Sequence, residues 1–346
     1  MTARAFIVGL AGLTLTSDER AFIRDARPWG FILFKRNINT PTQVSALIAS
    51  LRDEAGWKAP VLIDQEGGRV QRLGPPHWPV YPPGARYGEL YDRDPEAGLA
   101  AARLGGQLIA SDLTPLGIDV DCLPIADVPV PGGDPVIGDR AYGTQPGKVA
   151  AIAGAIAQGL QKGGVLPVLK HLPGHGRAAA DSHKRLPVVE AGRAELEASD
   201  FAAFRPLNAL PLGMTAHVVF SAIDPVAPAT TSVTMVREVI RGFIGFKGLL
   251  MSDDVSMGAL SGTIAERCRA AFAATCDVVL HCNGDMREMR EVAAEAPILV
   301  GEPALRADAA LAMRSEPEQF DVEAARKVFM QMIAGERVGG QRNSDS

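Results

Sequence analysis

Short apolar runs alternate with longer amphipathic stretches along most of the chain. The short runs are bounded by glycine or polar residues, which is typical of strands that are buried on both faces. Eight of them predict strands, at residues 6–10, 30–34, 60–64, 119–125, 165–170, 212–219, 248–252 and 277–282.

Between most of these runs, apolar residues recur at helical spacing, as Val44, Leu47, Ile48 and Leu51 do. A serine cap with an acidic first turn marks another helix start at Ser17. The pattern predicts helices at 17–26, 41–55, 95–116, 148–162, 194–207, 232–244, 264–274 and 286–294, with two further helices at 304–314 and 322–335.

Eight alternating strand–helix units favour an α/β fold, namely a closed (β/α)8 barrel of the TIM type. A doubly wound sheet with a second domain is the alternative that periodicity alone leaves open. Because no Pro/Ser-rich linker divides the chain, we expect one catalytic domain over residues 1–338, including the C-terminal helices. Residues 339–346 are expected to form a disordered tail.

Composition narrows the possible partners. The net charge is −5, and no basic stripe with interleaved aromatic residues is present, so we expect no nucleic-acid partner. The N-terminus does not resemble a signal peptide, and no apolar run reaches the length of a membrane span. The four cysteines form no CxxC pair, which is typical of a reducing compartment. We expect a cytoplasmic protein that needs no membrane contact.

Candidate chemistry is concentrated in residues 170–183, which contain three of the six histidines of the chain. This segment follows an apolar run that ends in Lys170, so its polar groups are expected at the carboxyl end of a buried strand. Asp181 and His183 are two residues apart, a spacing that lets a carboxylate contact an imidazole and prepare it for acid–base work. Metal binding by His171, His175 and His183 is an alternative, although they lack a recognised zinc spacing.

Other polar clusters follow predicted strands in the same way. Residues 64–72 (DQEGGRVQR) combine acids and arginines with paired glycines, directly after the third strand. Asp127 and the segment 137–140 (IGDR) follow the fourth strand. Arg140 either binds ligand oxygens or pairs with Asp139. In a barrel, such positions surround the site at the carboxyl ends of the strands.

The seventh predicted strand ends in two adjacent acids, Asp253 and Asp254. Successive strand residues point to opposite faces, so one carboxylate is expected to face the barrel mouth and the other to anchor the loop. The motif alone does not decide between this arrangement and two structural caps. His217, on the apolar sixth strand, is interpreted as a satisfied core group.

Together, four motifs in this order resemble family 3 glycoside hydrolases, specifically the single-domain bacterial β-N-acetylglucosaminidases. They are 64–72, 137–140, 170–176 (KHLPGHG) with 181–183 (DSH), and 252–254 (SDD). The resemblance covers roughly residues 5–300. Leu172 stands where the family pattern has Phe, an apolar-for-apolar change that affects no catalytic role.

The resemblance implies a (β/α)8 barrel that removes terminal β-linked N-acetylglucosamine from cell-wall muropeptides during peptidoglycan recycling. It implies that Asp253 is the nucleophile, His183 the general acid/base and Asp181 its partner. The implied sugar-binding residues are Asp64, Arg72, Arg140, Lys170 and His171. Neither a cofactor nor a metal is implied, and the oligomeric state stays open.

Three alternatives remain at this point. A β-N-acetylglucosaminide phosphorylase would use the same site with phosphate in place of water, because a histidine does not repel phosphate as a carboxylate does. A non-catalytic sugar-binding protein would use the same pocket, but the adjacent acids and the Asp-x-His pair exceed what binding needs. The third is a metal-dependent barrel hydrolase.

Overall fold

A computed structural model describes residues 3–335 of the chain. Eight parallel strands pair in sequence order, and the last pairs with the first to close a barrel. The strands are β1 (Arg4–Gly9), β2 (Pro28–Leu33), β3 (Val61–Ile63), β4 (Val120–Asp121), β5 (Leu166–Leu172), β6 (Leu212–Thr215), β7 (Leu249–Asp254) and β8 (Val278–His281). The predicted barrel is confirmed, and the open-sheet alternative is wrong.

Helices surround the barrel. They are α1 (Ser17–Ala26), α2 (Pro41–Ala55), α3 (Gly84–Arg93), α4 (Pro95–Leu113), α5 (Pro146–Lys162), α6 (Arg193–Ala198), α7 (Ile264–Ala273), α8 (Met286–Glu295), α9 (Gly301–Ala312) and α10 (Val322–Ala334). A π-helical segment, Met235–Phe243, connects β6 to β7. None of the helices in residues 3–335 is long and apolar enough to cross a membrane.

The strands bury both faces, as their apolar runs predict. On β1 and β2, Ile7 and Ile32 belong to the cluster that fills the barrel, whereas the alternating Phe6 and Phe31 belong to the layer beneath the helices. All four side chains are at most 1% exposed. Successive strand residues point to opposite faces, so each strand contributes to two apolar layers and leaves its polar residues to the ends.

The helix predictions differ from the structure at two places. Helix α3 was not predicted. It contains Gly84 and Gly88, where a Cβ would lie 2.0 Å from the carbonyl oxygen of Arg140 or of Tyr142, respectively. The helix predicted at 194–207 is α6 followed by two 3₁₀ turns, Phe201–Ala203 and Arg205–Leu207. Pro206 lies in the second turn, where its missing N–H disfavours a continuous helix.

Two smaller sheets lie outside the barrel. Gln65–Gly67 pairs with Val70–Gln71 directly after β3, and Val188–Val189 pairs with Val219–Phe220. The second pairing explains why the strand predicted at 212–219 leaves the barrel after Thr215. The tail predicted at 339–346 lies outside the described residues, and the domain boundary at 338 stays a prediction.

Candidate active site

The carboxyl ends of the barrel strands surround a cavity of about 450 Å³. Residues from β2, β5, β6, β7 and β8 and from the loops after β3 and β4 line it. All eight residues predicted from the sequence lie on its wall: Asp64, Arg72, Arg140, Lys170, His171, Asp181, His183 and Asp253.

The most buried charge in this wall is Lys170, which is 2% exposed near the end of β5. Its Nζ lies 2.9 Å from Asp64 Oδ1 and 2.6 Å from Glu66 Oε1. Arg72 donates to the other Asp64 oxygen at 2.9 Å. Arg140 donates to both Glu66 oxygens at 2.8 Å each, in a bidentate pair. Two carboxylates and three cations therefore form one network.

Burial and pairing act in opposite directions in this network. Burial alone would raise the pKa of Asp64 and Glu66, but Lys170 with the two arginines outweighs it and holds both pKa values below the usual range. Burial alone would lower the pKa of Lys170, but Asp64 and Glu66 raise it. All three groups therefore stay charged at neutral pH and present fixed charges and donors to hydroxyl-rich ligands.

His171 follows Lys170 on β5 and lines the same cavity. Its Nδ1 lies 2.7 Å from Asp127 Oδ2, and Asp127 is fully buried. Asp127 Oδ1 also accepts backbone N–H bonds from His171 and His175. Burial would raise the pKa of Asp127, but the adjacent His171 outweighs it and the pKa is lowered. The carboxylate thus fixes the imidazole and leaves its Nε2 for the cavity.

The Asp181–His183 pair predicted from the spacing is formed. Asp181 Oδ1 lies 2.8 Å from His183 Nδ1 and accepts the His183 backbone N–H at 2.9 Å. Burial by itself would raise the pKa of Asp181, but these two interactions outweigh it and lower the pKa. The ionised carboxylate can stabilise a protonated imidazole, while the side chain of His183 stays 64% exposed at the cavity rim.

The two adjacent acids of β7 differ in their contacts. Asp254 accepts the N–H of Ser256 and of Cys282 on Oδ1, and the Ser256 hydroxyl on Oδ2. Within residues 3–335, the Asp253 carboxylate accepts a single hydrogen bond, from the N–H of Asp254 at 2.8 Å. Asp254 is therefore engaged in holding the loop, while Asp253 keeps an oxygen free of hydrogen bonds within that range.

Two histidines, His217 and His171, lie near Asp253 and affect its charge state. Burial would raise its pKa, but His217 and His171 outweigh that effect and the pKa lies below the usual range. A carboxylate in this state is ionised at neutral pH and available as a nucleophile towards an electrophilic carbon.

Three contributing residues were not selected from the sequence. Glu66 and Asp127 hold the cations and His171 in place, and His217 donates from Nε2 to the Asp254 carbonyl at 3.0 Å. The interpretation of His217 as a satisfied core group fits these bonds. The sequence signal for Glu66 was its place in the polar run after β3. Its partners, Arg140 and Lys170, lie far along the chain and could not be inferred from that run.

The histidines do not form a metal centre in the described part of the chain. Across residues 3–335, no group of three or more His, Cys, Asp or Glu side chains is placed to hold a metal ion. His175 Nε2 instead lies 2.9 Å from Ser182 Oγ.

Comparisons with known proteins point to one family. The profile of the glycosyl hydrolase family 3 N-terminal domain matches residues 8–306. A β-hexosaminidase of Alkalilimnicola ehrlichii is 42% identical over 283 residues, which are 80% of either chain. One from Aromatoleum aromaticum is 36% identical over 319 residues, 91% of this chain and 88% of the relative.

Solved structures agree with the sequence matches. NagZ of Neisseria gonorrhoeae, in complex with N-trifluoroacetyl-D-glucosamine, superposes with a TM-score of 0.84 at 32% identity, covering 97% of both chains. With the profile matching most of the sequence and the same barrel present, the chain is a glycoside hydrolase and belongs to glycosyl hydrolase family 3.

Proposed function

We propose that the chain is a retaining exo-β-N-acetylglucosaminidase that releases terminal β-linked N-acetylglucosamine from cell-wall muropeptides. The observation that supports it most is that one cavity is lined both by the Asp181–His183 pair and by Asp253, an ionised acid that accepts one hydrogen bond from residues 3–335. A nucleophilic carboxylate and a proton-transferring group on one cavity are the two parts that double displacement requires.

In the first step, an Asp253 oxygen attacks C1 of the sugar and forms an ester. The C1–O bond to the aglycone breaks, and its electron pair stays on the aglycone oxygen, which takes a proton from His183. In the second step, His183 removes a proton from water, the water oxygen bonds to C1, and the ester bond breaks to return the Asp253 carboxylate. Two inversions give net retention of the β configuration.

The remaining residues of the cavity hold the sugar. Asp64, Lys170 and His171 offer acceptors and donors to ring hydroxyls, and Arg72 and Arg140 help to fix the ring and its N-acetyl group. The names of the similar proteins support this substrate class: two are β-hexosaminidases, and the neighbour from Neisseria holds an N-acylated glucosamine. With the resemblance noted in the sequence, we also propose a role in peptidoglycan recycling in the cytoplasm.

The first test compares an aryl β-N-acetylglucosaminide with the matching β-glucoside. We expect hydrolysis of the first and a strong preference over the second. Products are analysed with and without inorganic phosphate. A sugar phosphate as the main product would identify the phosphorylase alternative, and the lack of any turnover would leave a sugar-binding protein. Addition of a chelator should leave the rate unchanged.

The second test addresses the nucleophile. Asp253→Asn should lower kcat by about a thousandfold or more with an unchanged circular dichroism spectrum, because the neutral amide cannot form the ester. The exposed Asp308→Asn on α9 is the matched control and should keep full activity. Mass spectrometry of the enzyme trapped with a 5-fluoro N-acetylglucosaminide should place the adduct on Asp253 within the tryptic peptide 248–267. Full activity of Asp253→Asn would refute the assignment.

A further inference from the structure

The Asp181–His183 pair lies on the loop between β5 and the short strand at Val188–Val189, which we call the dyad loop (residues 173–187). Ser182, between the two, has the opposite environment. It is 2% exposed, whereas the side chains of Asp181 and His183 are 20% and 64% exposed. The backbone thus turns the two functional side chains outward and the serine hydroxyl inward.

The buried hydroxyl has a specific partner. Ser182 Oγ lies 2.9 Å from Nε2 of His175, which is itself 3% exposed. The backbone N–H of His175 donates to Asp127 at 2.6 Å, and Asp127 also holds the His171 ring. Asp127 and His175 therefore connect the His171 ring to Ser182, through hydrogen bonds at either end of the His175 residue.

Main-chain bonds attach the same segment to the loop after β7. The N–H of Ala259 donates to the Ser182 carbonyl at 3.1 Å, and the N–H of Gly258 donates to the His183 carbonyl at 3.3 Å. Both donors lie in the loop that follows Asp253 and Asp254 on β7. The dyad loop is thus fixed between β5 on one side and the β7 loop on the other.

We propose that Ser182 is a positioning residue for the reaction, which acts through its buried hydrogen bond to His175 and holds His183 where it can transfer a proton to the aglycone oxygen of the sugar that Asp253 attacks. The inference rests on the proposed role of His183 as the acid/base. No contact of Ser182 with the sugar is needed, because its side chain faces into the protein, away from the rim.

The charge state of His175 suits this role. Burial, reinforced by the nearby His171, lowers the pKa of His175 to about 4, so its ring is neutral at neutral pH. The hydrogen bond to Ser182 therefore does not change while His183 takes up and releases protons. An exposed imidazole on a glycine-containing loop gains most from such a fixed contact, since small displacements of a proton donor cost large factors in rate.

The experiment distinguishes a positioning role from a folding defect by comparing two substrates whose leaving groups differ in their need for protonation. For Ser182→Ala, kcat/KM should fall about tenfold, the effect of one lost hydrogen bond, on an alkyl β-N-acetylglucosaminide whose oxygen must be protonated. On a dinitrophenyl glycoside, which needs no acid, the change should stay below about twofold. Ser261→Ala, an exposed serine of the β7 loop, is the matched control and should match the wild type on both substrates.

A double-mutant cycle gives the second readout. If Ser182 acts through His183, adding Ser182→Ala to His183→Ala should change kcat/KM on the alkyl glycoside by less than about twofold. His175→Leu should reproduce the Ser182→Ala pattern, while His175→Gln, whose amide can still reach the hydroxyl, should restore part of the rate. These variants keep the test decisive if one of them fails to fold.

The outcomes distinguish two failures. Equal losses of Ser182→Ala on both substrates, or a full tenfold loss on top of His183→Ala, would overturn the positioning role alone. If His183→Ala itself slowed both substrates equally, the proposed acid role would fall, and this inference would fall with it.

Discussion

At the scale of single residues, the cavity depends on charges that are buried together. Lys170 and Glu66 are almost fully buried, and each has its charge compensated within 3 Å. Burying a lone charge would cost several kcal/mol. In the network, each charge offsets the desolvation cost of its oppositely charged partners. The residues that we propose to hold the sugar are thus fixed in place by charge pairs, and loss of one partner would leave the other charge buried and uncompensated.

The first prediction concerns Glu66→Gln, which removes one charge and leaves Lys170 and Arg140 in excess. The free energy of unfolding at pH 7 should fall by about 3 kcal/mol, as is typical when one partner of a buried ion pair is lost. Urea unfolding measures it. Glu89→Gln, which removes an exposed helix pair with Arg86, is the control and should change stability by less than about 1 kcal/mol.

The second prediction concerns the pH dependence of the same variant. The pKa of Glu66 is lowered in the folded chain, so its charge stabilises the fold above the unfolded pKa of about 4.3 and this contribution is lost as pH falls through the folded pKa. The stability difference between wild type and Glu66→Gln should therefore shrink as pH decreases from about 5 towards 3. A difference that stays constant over that range would contradict the assignment.

At the scale of elements, strands β3, β5 and β7 bring the functional groups to one rim, and the loops after them complete the site. The dyad loop passes very close to the segment after β4. A Cβ on Gly176 would lie 2.3 Å from the carbonyl carbon and oxygen of Val128, a distance that no side chain tolerates. Glycine is required at this position because the two backbones approach too closely to admit a side chain. A left-handed backbone conformation is not involved.

The third prediction follows from that contact. Gly176→Ala must displace the dyad loop, and a shift of about 1 Å in His183, the proposed acid/base, would cost roughly a hundredfold in rate. We expect a loss of that order in kcat/KM on an alkyl β-N-acetylglucosaminide. Gly147→Ala, where a Cβ would meet nothing within 4 Å, is the matched control in α5 and should keep full activity. Equal activities of the two variants would show that the loop adapts.

Strand and helix positions differ in how well the sequence predicts them. The strands were found because each is an apolar run between polar breaks, which is a local property. Helix α3 was missed. Its residues Gly84 and Gly88 are glycine because the backbone of residues 140–142 packs against them, and that segment lies some fifty residues away in the sequence. The same contact places the carbonyl of Arg140 against α3, so a packing detail invisible in the sequence helps to position a site residue.

At the scale of the whole molecule, the C-terminal helix α10 covers the helical layer near α3 and α4. The ring of Phe329 is 3% exposed and lies 6.2 Å from that of Tyr81 and 6.3 Å from that of Tyr87. Arg326 binds Asp112 at 2.5 Å and the hydroxyl of Tyr81 at 3.1 Å. The family profile ends at residue 306, so this helix lies beyond the residues that the profile matches.

The fourth prediction tests whether α10 is part of the cooperative fold. Phe329→Ala should lower the free energy of unfolding by about 3–4 kcal/mol, because it empties a buried aromatic site. The neighbouring Met330 is 60% exposed, so Met330→Ala should change it by less than about 0.5 kcal/mol. Chemical denaturation of both variants measures the difference. Similar values for the two would mean that α10 unfolds separately from the barrel.

The sequence by itself determined the alternating strands and helices, the strand ends that carry polar groups, and the spacing that lets Asp181 contact His183, and it favoured a closed barrel over an open sheet. These follow from local patterns: periodic apolar residues, and a carboxylate and an imidazole two residues apart. Only the tertiary structure decided that Glu66 joins Lys170 to Arg140 and that Ser182 reaches His175. It also decided that Asp254 holds the loop, while Asp253 keeps an oxygen that accepts no hydrogen bond from residues 3–335. Each of these depends on distances between segments far apart in the chain, which closure of the barrel fixes and residue spacing does not.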